Sequence, residues 1–177
     1  MRLCKPMTVA LTLLAVLCGC QDKPAPKNYT DTFKMDSPKG WQSHTQPFGV
    51  VLMMIAPQET PEDTFTETIT VAVEGSQDTL SAHVEKNLAG MKRHLLDFQA
   101  GPPGDTTIDG VRARWLIATC TINGVKAKMI AFFVVKNGLG FAIAATCSAE
   151  EFPKHEPQFR QAVNTFRFKP AAQSKPS

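Results

Sequence analysis

Hydrophobic and polar residues alternate along the chain in patterns that separate strands from helices. Phe33 and Met35 stand among polar neighbours, and Ser37-Pro38-Lys39-Gly40 turns the chain into Trp41. Gly49 to Ala56 is a short, wholly apolar run closed by Pro57, which reads as a buried strand. From Thr66 to Glu74 the sequence alternates. Glu67, Ile69, Val71 and Val73 fall on one side and Thr66, Thr68, Thr70 and Ala72 on the other, the pattern of a β-branched strand. Leu80, Val84, Leu88, Met91 and Leu95 then recur at helical spacing. Asp78 is placed to cap that helix, and His83, Glu85, Lys86, Lys92 and Arg93 form its polar, solvent-facing side.

Three strand-like runs follow, Val111 to Thr121, Val125 to Val135 and Leu139 to Cys147, with Asn123-Gly124 and Asn137-Gly138 as the turns between them. The register of the first pair depends on the loop. A two-residue loop sets Arg114 opposite Phe133. A three-residue loop, Ile122 to Gly124, sets Val111, Ala113, Trp115 and Ile117 opposite Val135, Phe133, Ala131 and Met129. The second pairs apolar with apolar and is the expected register. Leu116, Ile130, Phe132 and Val134 then share the other face, which is also apolar, so the sheet needs cover on both faces. Pro157 is well placed to start a last helix carrying Phe159, Ala162, Val163 and Phe166, before Phe166-Arg167-Phe168 leaves as an extended end. The predicted class is α+β: an antiparallel sheet flanked by helices on both faces, an α-β-α sandwich.

The ends of the chain differ from this middle. Arg2 and Lys5 precede an apolar stretch from Met7 to Val16, shorter than the roughly 20 residues needed to span a bilayer. Leu17-Cys18-Gly19-Cys20 follows, and it resembles the lipobox of bacterial lipoproteins. The resemblance implies a signal peptide over residues 1–19, removed by cleavage after Gly19, with lipid (palmitate among its acyl chains) on Cys20. Each buried CH₂ contributes about 0.8 kcal/mol, so two or three chains hold firmly to a membrane. Gln21, rather than Asp, follows the cysteine, which under the enteric sorting rule points to the outer membrane, facing the periplasm. Residues 20–31 read as a polar, proline-containing tether, residues 32–169 as the globular domain and residues 170–177 as a disordered tail. Without residues 1–19 the formal charge falls from +3 to +1, with 17 basic against 16 acidic side chains. No excess of positive charge remains to attract nucleic acid, and none is expected as a partner.

Candidate chemistry is sparse. His44, His83, His94 and His155 form no recognisable ligand spacing and read as surface histidines, so no metal and no cofactor is expected. Glu62-Asp63, in an acidic loop over residues 57–64, lacks the regular oxygen spacing of calcium sites. No nucleophile elbow or phosphate-binding glycine loop occurs. Cys120 and Cys147 could pair in an oxidising compartment. If the middle strand of the meander separates them, however, they stand about 9 to 10 Å apart, beyond the roughly 7 Å limit of a disulfide, and two buried free thiols are expected. Trp115 and Met53-Met54 read as core rather than pocket lining. Arg112, Arg114, Lys126 and Lys128 lie at opposite ends of their hairpin and form no single basic patch.

One further resemblance spans residues 32 to 168. Phe33-x-Met35-x-x-Pro38-x-Gly40-Trp41, Phe65-Thr-Glu-Thr-Ile69-Thr70-Val71, Leu80 opening a helix, Ile108-Asp109-Gly110 entering a long strand and Phe159-x6-Phe166 together resemble the PsbP-like domain group, which includes the DcrB-type periplasmic lipoproteins. Thr68 departs from the Asn of many relatives. The resemblance implies an antiparallel sheet with flanking helices and no catalytic activity. It also implies accessory or binding roles, including subunits on larger complexes, envelope lipoproteins and cytosolic chaperones of secreted effectors. The lipobox sets this chain apart from the chaperones. The expected function is a non-catalytic, lipid-anchored accessory or binding protein with an unidentified protein partner. The alternative is an immunity protein that neutralises a toxin sent into the periplasm. A Cys20→Ser chain is expected to take up no radioactive palmitate and to leave the membrane fraction for the soluble periplasm. Retention in the membrane pellet would refute the anchor.

Overall fold

A computed structural model describes residues 28–46, 49–58, 60 and 65–170. The proposed leader with Cys20, the tail after residue 170 and Glu62-Asp63 lie outside the described residues. A 3-10 turn at Tyr29–Asp31 precedes β1 (Phe33–Lys34), β2 (Gln42–Thr45), β3 (Gly49–Ile55) and β4 (Thr68–Gly75). Then come α1 (Leu80–His94), β5 (Leu96–Ala100) and β6 (Gly104–Ile108). The meander is β7 (Val111–Ile122), β8 (Val125–Lys136) and β9 (Leu139–Ser148), followed by α2 (Phe152–Asn164) and β10 (Arg167–Phe168). Tyr29, inside the stretch read as tether, is buried.

The sheet runs β2-β3-β4-β9-β8-β7-β5, with β6 also on β7, and every pairing is antiparallel. β5 and β6 share the outer edge of β7. β5 pairs with Ala118 to Thr121 and β6 with Val111 to Trp115. Eight consecutive residues of β9, Gly140 to Cys147, are buried, so this strand is covered on both sides. α1 covers one face through Val84 and Met91, while α2 covers the other through Phe152, Phe159, Ala162 and Val163. This is the α+β class the hydrophobic pattern predicts.

The register of β7 on β8 differs from the expected one. Arg114 stands opposite Phe133 and Ile122 opposite Val125, so the loop is the two-residue Asn123-Gly124. Asn123 (φ 51) and Gly124 (φ 81) both have positive φ, the type I′ geometry that matches strand twist. Apolar pairing could not decide the matter, because a slip by one residue on a sheet apolar on both faces still lays apolar on apolar. As a result Leu116 shares its face with Met129, Ala131 and Phe133, while Ile130, Phe132 and Val134 join Ala113 on the other. Arg114 is accommodated because it reaches Asp105 of β6 at 3.5 Å.

Two other local expectations change. Thr79, not Asp78, caps α1, its hydroxyl accepting from the Ala82 N–H at 3.2 Å. Asp78 instead accepts from the Ser76 hydroxyl. α2 begins at Phe152, ahead of Pro157, because the buried Phe152 extends the apolar stripe by a turn. Pro153 takes the first-turn position that suits proline, and Pro157 sits inside the helix at the cost of one backbone bond. Ile108-Asp109-Gly110 leads straight into the long strand β7, as expected, and does so as the close of the β6–β7 hairpin.

The first and last strands meet on the α2 face. β1 pairs with β10, and Phe33 stacks on Phe166 at 5.1 Å. Phe141 of β9 meets Phe33, Phe166 and Phe168 edge-on. Phe141→Ala is expected to cost about 3 to 5 kcal/mol in urea unfolding, and Leu96→Ala, at the one large apolar side chain in the open among the described residues, less than about 0.5 kcal/mol. Equal losses would mean that this aromatic cluster is not the structural centre.

Candidate functional site

Glu67, Glu151 and His155 come together where β4 begins and α2 starts. Glu67 lies one residue before β4, and its carbonyl oxygen accepts from the Ala56 N–H at 3.0 Å, extending the ladder with β3. It keeps the phase of Ile69, Val71 and Val73 and so faces the α2 layer, where it is 2% exposed. Glu151 is the N-cap residue of α2, its carbonyl oxygen accepting from the N–H groups of Lys154 and His155. The Ser148 hydroxyl donates to Glu151 Oε2 at 3.5 Å and accepts from the Glu151 N–H at 3.4 Å. Lys154 Nζ stands 3.5 Å from Glu151 Oε1.

His155, one turn into α2, is 7% exposed. Its ring stacks on Phe159 at 5.9 Å, and Nε2 is buried with no hydrogen-bond partner. One ligand atom from each of Glu67, Glu151 and His155 lies within 4.8 Å of the others. Two carboxylates and an imidazole at this spacing can ligate a cation. Glu67 and the i, i+4 pair Glu151 and His155 are all legible in the sequence. The signal that could have united them is the apolar phase of Glu67.

Two histidines therefore depart from the surface reading. His44 and His94 are exposed, but His83 and His155 are buried. His83 reaches into the α1 layer because β9 offers Gly140 there. A Cβ on that residue would stand 2.5 Å from the His83 ring. His83 Nε2 lies 3.2 Å from the Phe141 carbonyl oxygen and Nδ1 3.5 Å from Glu74 Oε1. Burial raises the Glu74 pKa, but His83 and Lys86 more than offset it, and the carboxyl is held below its usual value. These partners and the small space of about 10 Å³ beside them mark a packing arrangement rather than a ligand pocket.

Cys120 and Cys147 are buried and unpaired. β8 separates their strands, and they also point to opposite faces of the sheet. Burial pushes the Cys120 thiol up to about 11. Burial, then the charges of Glu67 and Glu151, push Cys147 up to about 12 against an opposing effect of Lys128. Neither is a ready nucleophile. Trp115 packs on the α2-side core under the Arg160 guanidinium at 4.5 Å. Met53 and Met54 face opposite layers. Arg112 and Arg114 pair with Asp105, while Lys128 Nζ lies over the Phe152 ring, so the four basic residues are dispersed. A cleft of about 330 Å³ opens between the 36–39 segment and α2, lined by Asp36, Ser37, Pro38, Lys39, Gln158, Gln161, Ala162 and Thr165.

The large antiparallel sheet with a helix on each face has PsbP-like structural neighbours. Among them, cyanobacterial PsbP (CyanoP) from Synechocystis sp. PCC 6803 matches 86% of this chain and 98% of its own, with TM-score 0.59 and 12% identity. LpqN, involved in cell envelope biogenesis of Mycobacterium tuberculosis, matches 78% of this chain and 83% of its own, with TM-score 0.57 and 15% identity. PA94 from Pseudomonas aeruginosa, a protein of unknown function, matches 76% of this chain and 90% of its own, with TM-score 0.57 and 19% identity. At these identities the likeness is one of fold. No protein-family model and no curated protein matches the sequence.

Both thiols stay protonated in the folded protein where an exposed cysteine ionises, from its ordinary 9.0 upward. Between that value and 11 to 12 the folded state binds more protons than the unfolded chain, so stability falls as pH rises through this window. The urea midpoint under reductant is expected to drop between about pH 8 and pH 10, and less so in a Cys120→Ala, Cys147→Ala double variant. An equal drop in both proteins would discount the thiols. A Cys120–Cys147 peptide in non-reducing mass spectrometry would overturn the strand order.

Proposed function

We propose that this chain is a lipid-anchored accessory or binding protein of the bacterial cell envelope. It is held through Cys20 to the periplasmic side of a membrane, the outer rather than the inner, and acts through a surface and not by catalysis. The observation that carries this reading is a lipobox, Leu17-Cys18-Gly19-Cys20, placed behind a basic and apolar leader on a chain whose fold is shared with an envelope-biogenesis protein. The order of the sequence motifs favours the DcrB-type lipoproteins within the PsbP-like group. Thiols held far above their ordinary range speak against cysteine nucleophile chemistry. The cleft between the 36–39 segment and α2 offers side-chain amides, a carboxylate and an ammonium to a partner's polar groups.

The test is in-cell crosslinking of the full lipidated chain, followed by affinity purification from solubilised membranes. Recovery of a defined envelope protein, lost when Gln158 and Gln161 are changed to Glu, is the expected result. Recovery of a secreted toxin would replace the accessory role with immunity. Recovery of the chain alone would overturn the interaction reading.

A further inference from the structure

We propose that Glu67, Glu151 and His155 form a binding site for one first-row divalent cation of the zinc class at the start of α2. Three observations meet there. The ligand atoms lie within 4.8 Å of one another. Two of the three side chains, Glu67 and His155, are more than nine-tenths buried, and His155 Nε2 is buried without a hydrogen-bond partner.

The spacing suits a cation. Ligands about 2.0 to 2.2 Å from a tetrahedral zinc stand about 3.4 Å from one another, so each of the three atoms needs to move inward by less than about 1 Å. A divalent ion bound by two carboxylates and a neutral imidazole leaves no net charge on the set. Lys154 supplies one positive charge at Glu151, from a side chain that is 55% exposed. The N-terminus of α2 opposes a cation with about half a positive charge, less than the two full negative charges of the carboxylates. The single imidazole argues for zinc over calcium or magnesium, which take oxygen ligands. Three protein ligands leave a fourth position to water or to a partner's side chain.

The site does not depend on the accessory reading, because cation uptake is measured on the isolated full chain. After chelator stripping, the detergent-solubilised protein is dialysed against micromolar zinc chloride, with metal content and melting temperature as readouts. One zinc per chain and a raised melting temperature are expected. Glu151→Gln changes a partly exposed side chain and should keep the fold while weakening zinc binding at least tenfold. His155→Gln should do the same and tests the nitrogen ligand independently. No uptake by the stripped chain would overturn the proposal. Undiminished uptake by both variants would also overturn it, since the ion would then be held elsewhere on the chain. Binding of calcium but not zinc would overturn the assignment of class.

Discussion

β8 and β9 carry apolar side chains on both faces, and neither face can be left to water. Everything else in the fold answers that constraint. The two faces are covered in different ways. The α1 side is floored with small residues, Ala72, Ala118, Ala127, Ala131 and Ala142, which let the helix sit close to the strands. His83 drops over Gly140 for the same reason. The α2 side is built from large rings, Phe33, Phe132, Phe141, Phe152, Phe159 and Phe166, and these draw in the two chain ends as well as the helix. One layer is thin and the other thick, so the longer reach on the α2 side brings β1, β10 and the 36–39 segment together.

Much of this was legible in the sequence. The meander strands, their Asn-Gly turns, the apolar stripe of α1 and the helix around Phe159 follow from periodicity and turn chemistry. The same two-faced apolarity that demands cover also erased the register signal between β7 and β8. Alternation distinguishes registers only where one face is polar. There the turn decides, through two successive residues of positive φ. β2, β5 and β6 were not legible, because Gln42–Thr45 is wholly exposed and Leu96–Ala100 nearly so. Backbone pairing with a neighbour's open edge makes such strands, and side-chain pattern does not report it. His83 deceived for another reason. It flanks the stripe of α1 at a core-facing position, and its polarity hid the fact that partners wait for it in Glu74 and the Phe141 carbonyl.

The polar groups near α2 follow from the same layout. β4, β9 and α2 converge at one corner, where a strand start, a strand end and a helix start leave side chains without the regular ladder around them. Glu67 is in phase with its apolar neighbours and is carried inward by a strand that needs those neighbours buried. Glu151 is held by the turn at Ser148, and His155 follows one turn later with its ring flat against Phe159. Apolar patterning placed three polar groups together, and no single segment of sequence announces them.

The pairing of Phe33 with Phe168 joins positions at nearly opposite ends of the described chain. The meander needs only two-residue turns and can close while little else exists, whereas this clasp waits for the last strand. β4 waits too, since its inner neighbour is β9, which follows it by more than the whole of α1, β5, β6, β7 and β8. A chain that emerges from its amino end therefore carries β4 without β9 until residue 148 is free, and β1 without β10 until residue 168 is free. Assembly is a race between the arrival of the final strand and whatever else could pair with those waiting edges.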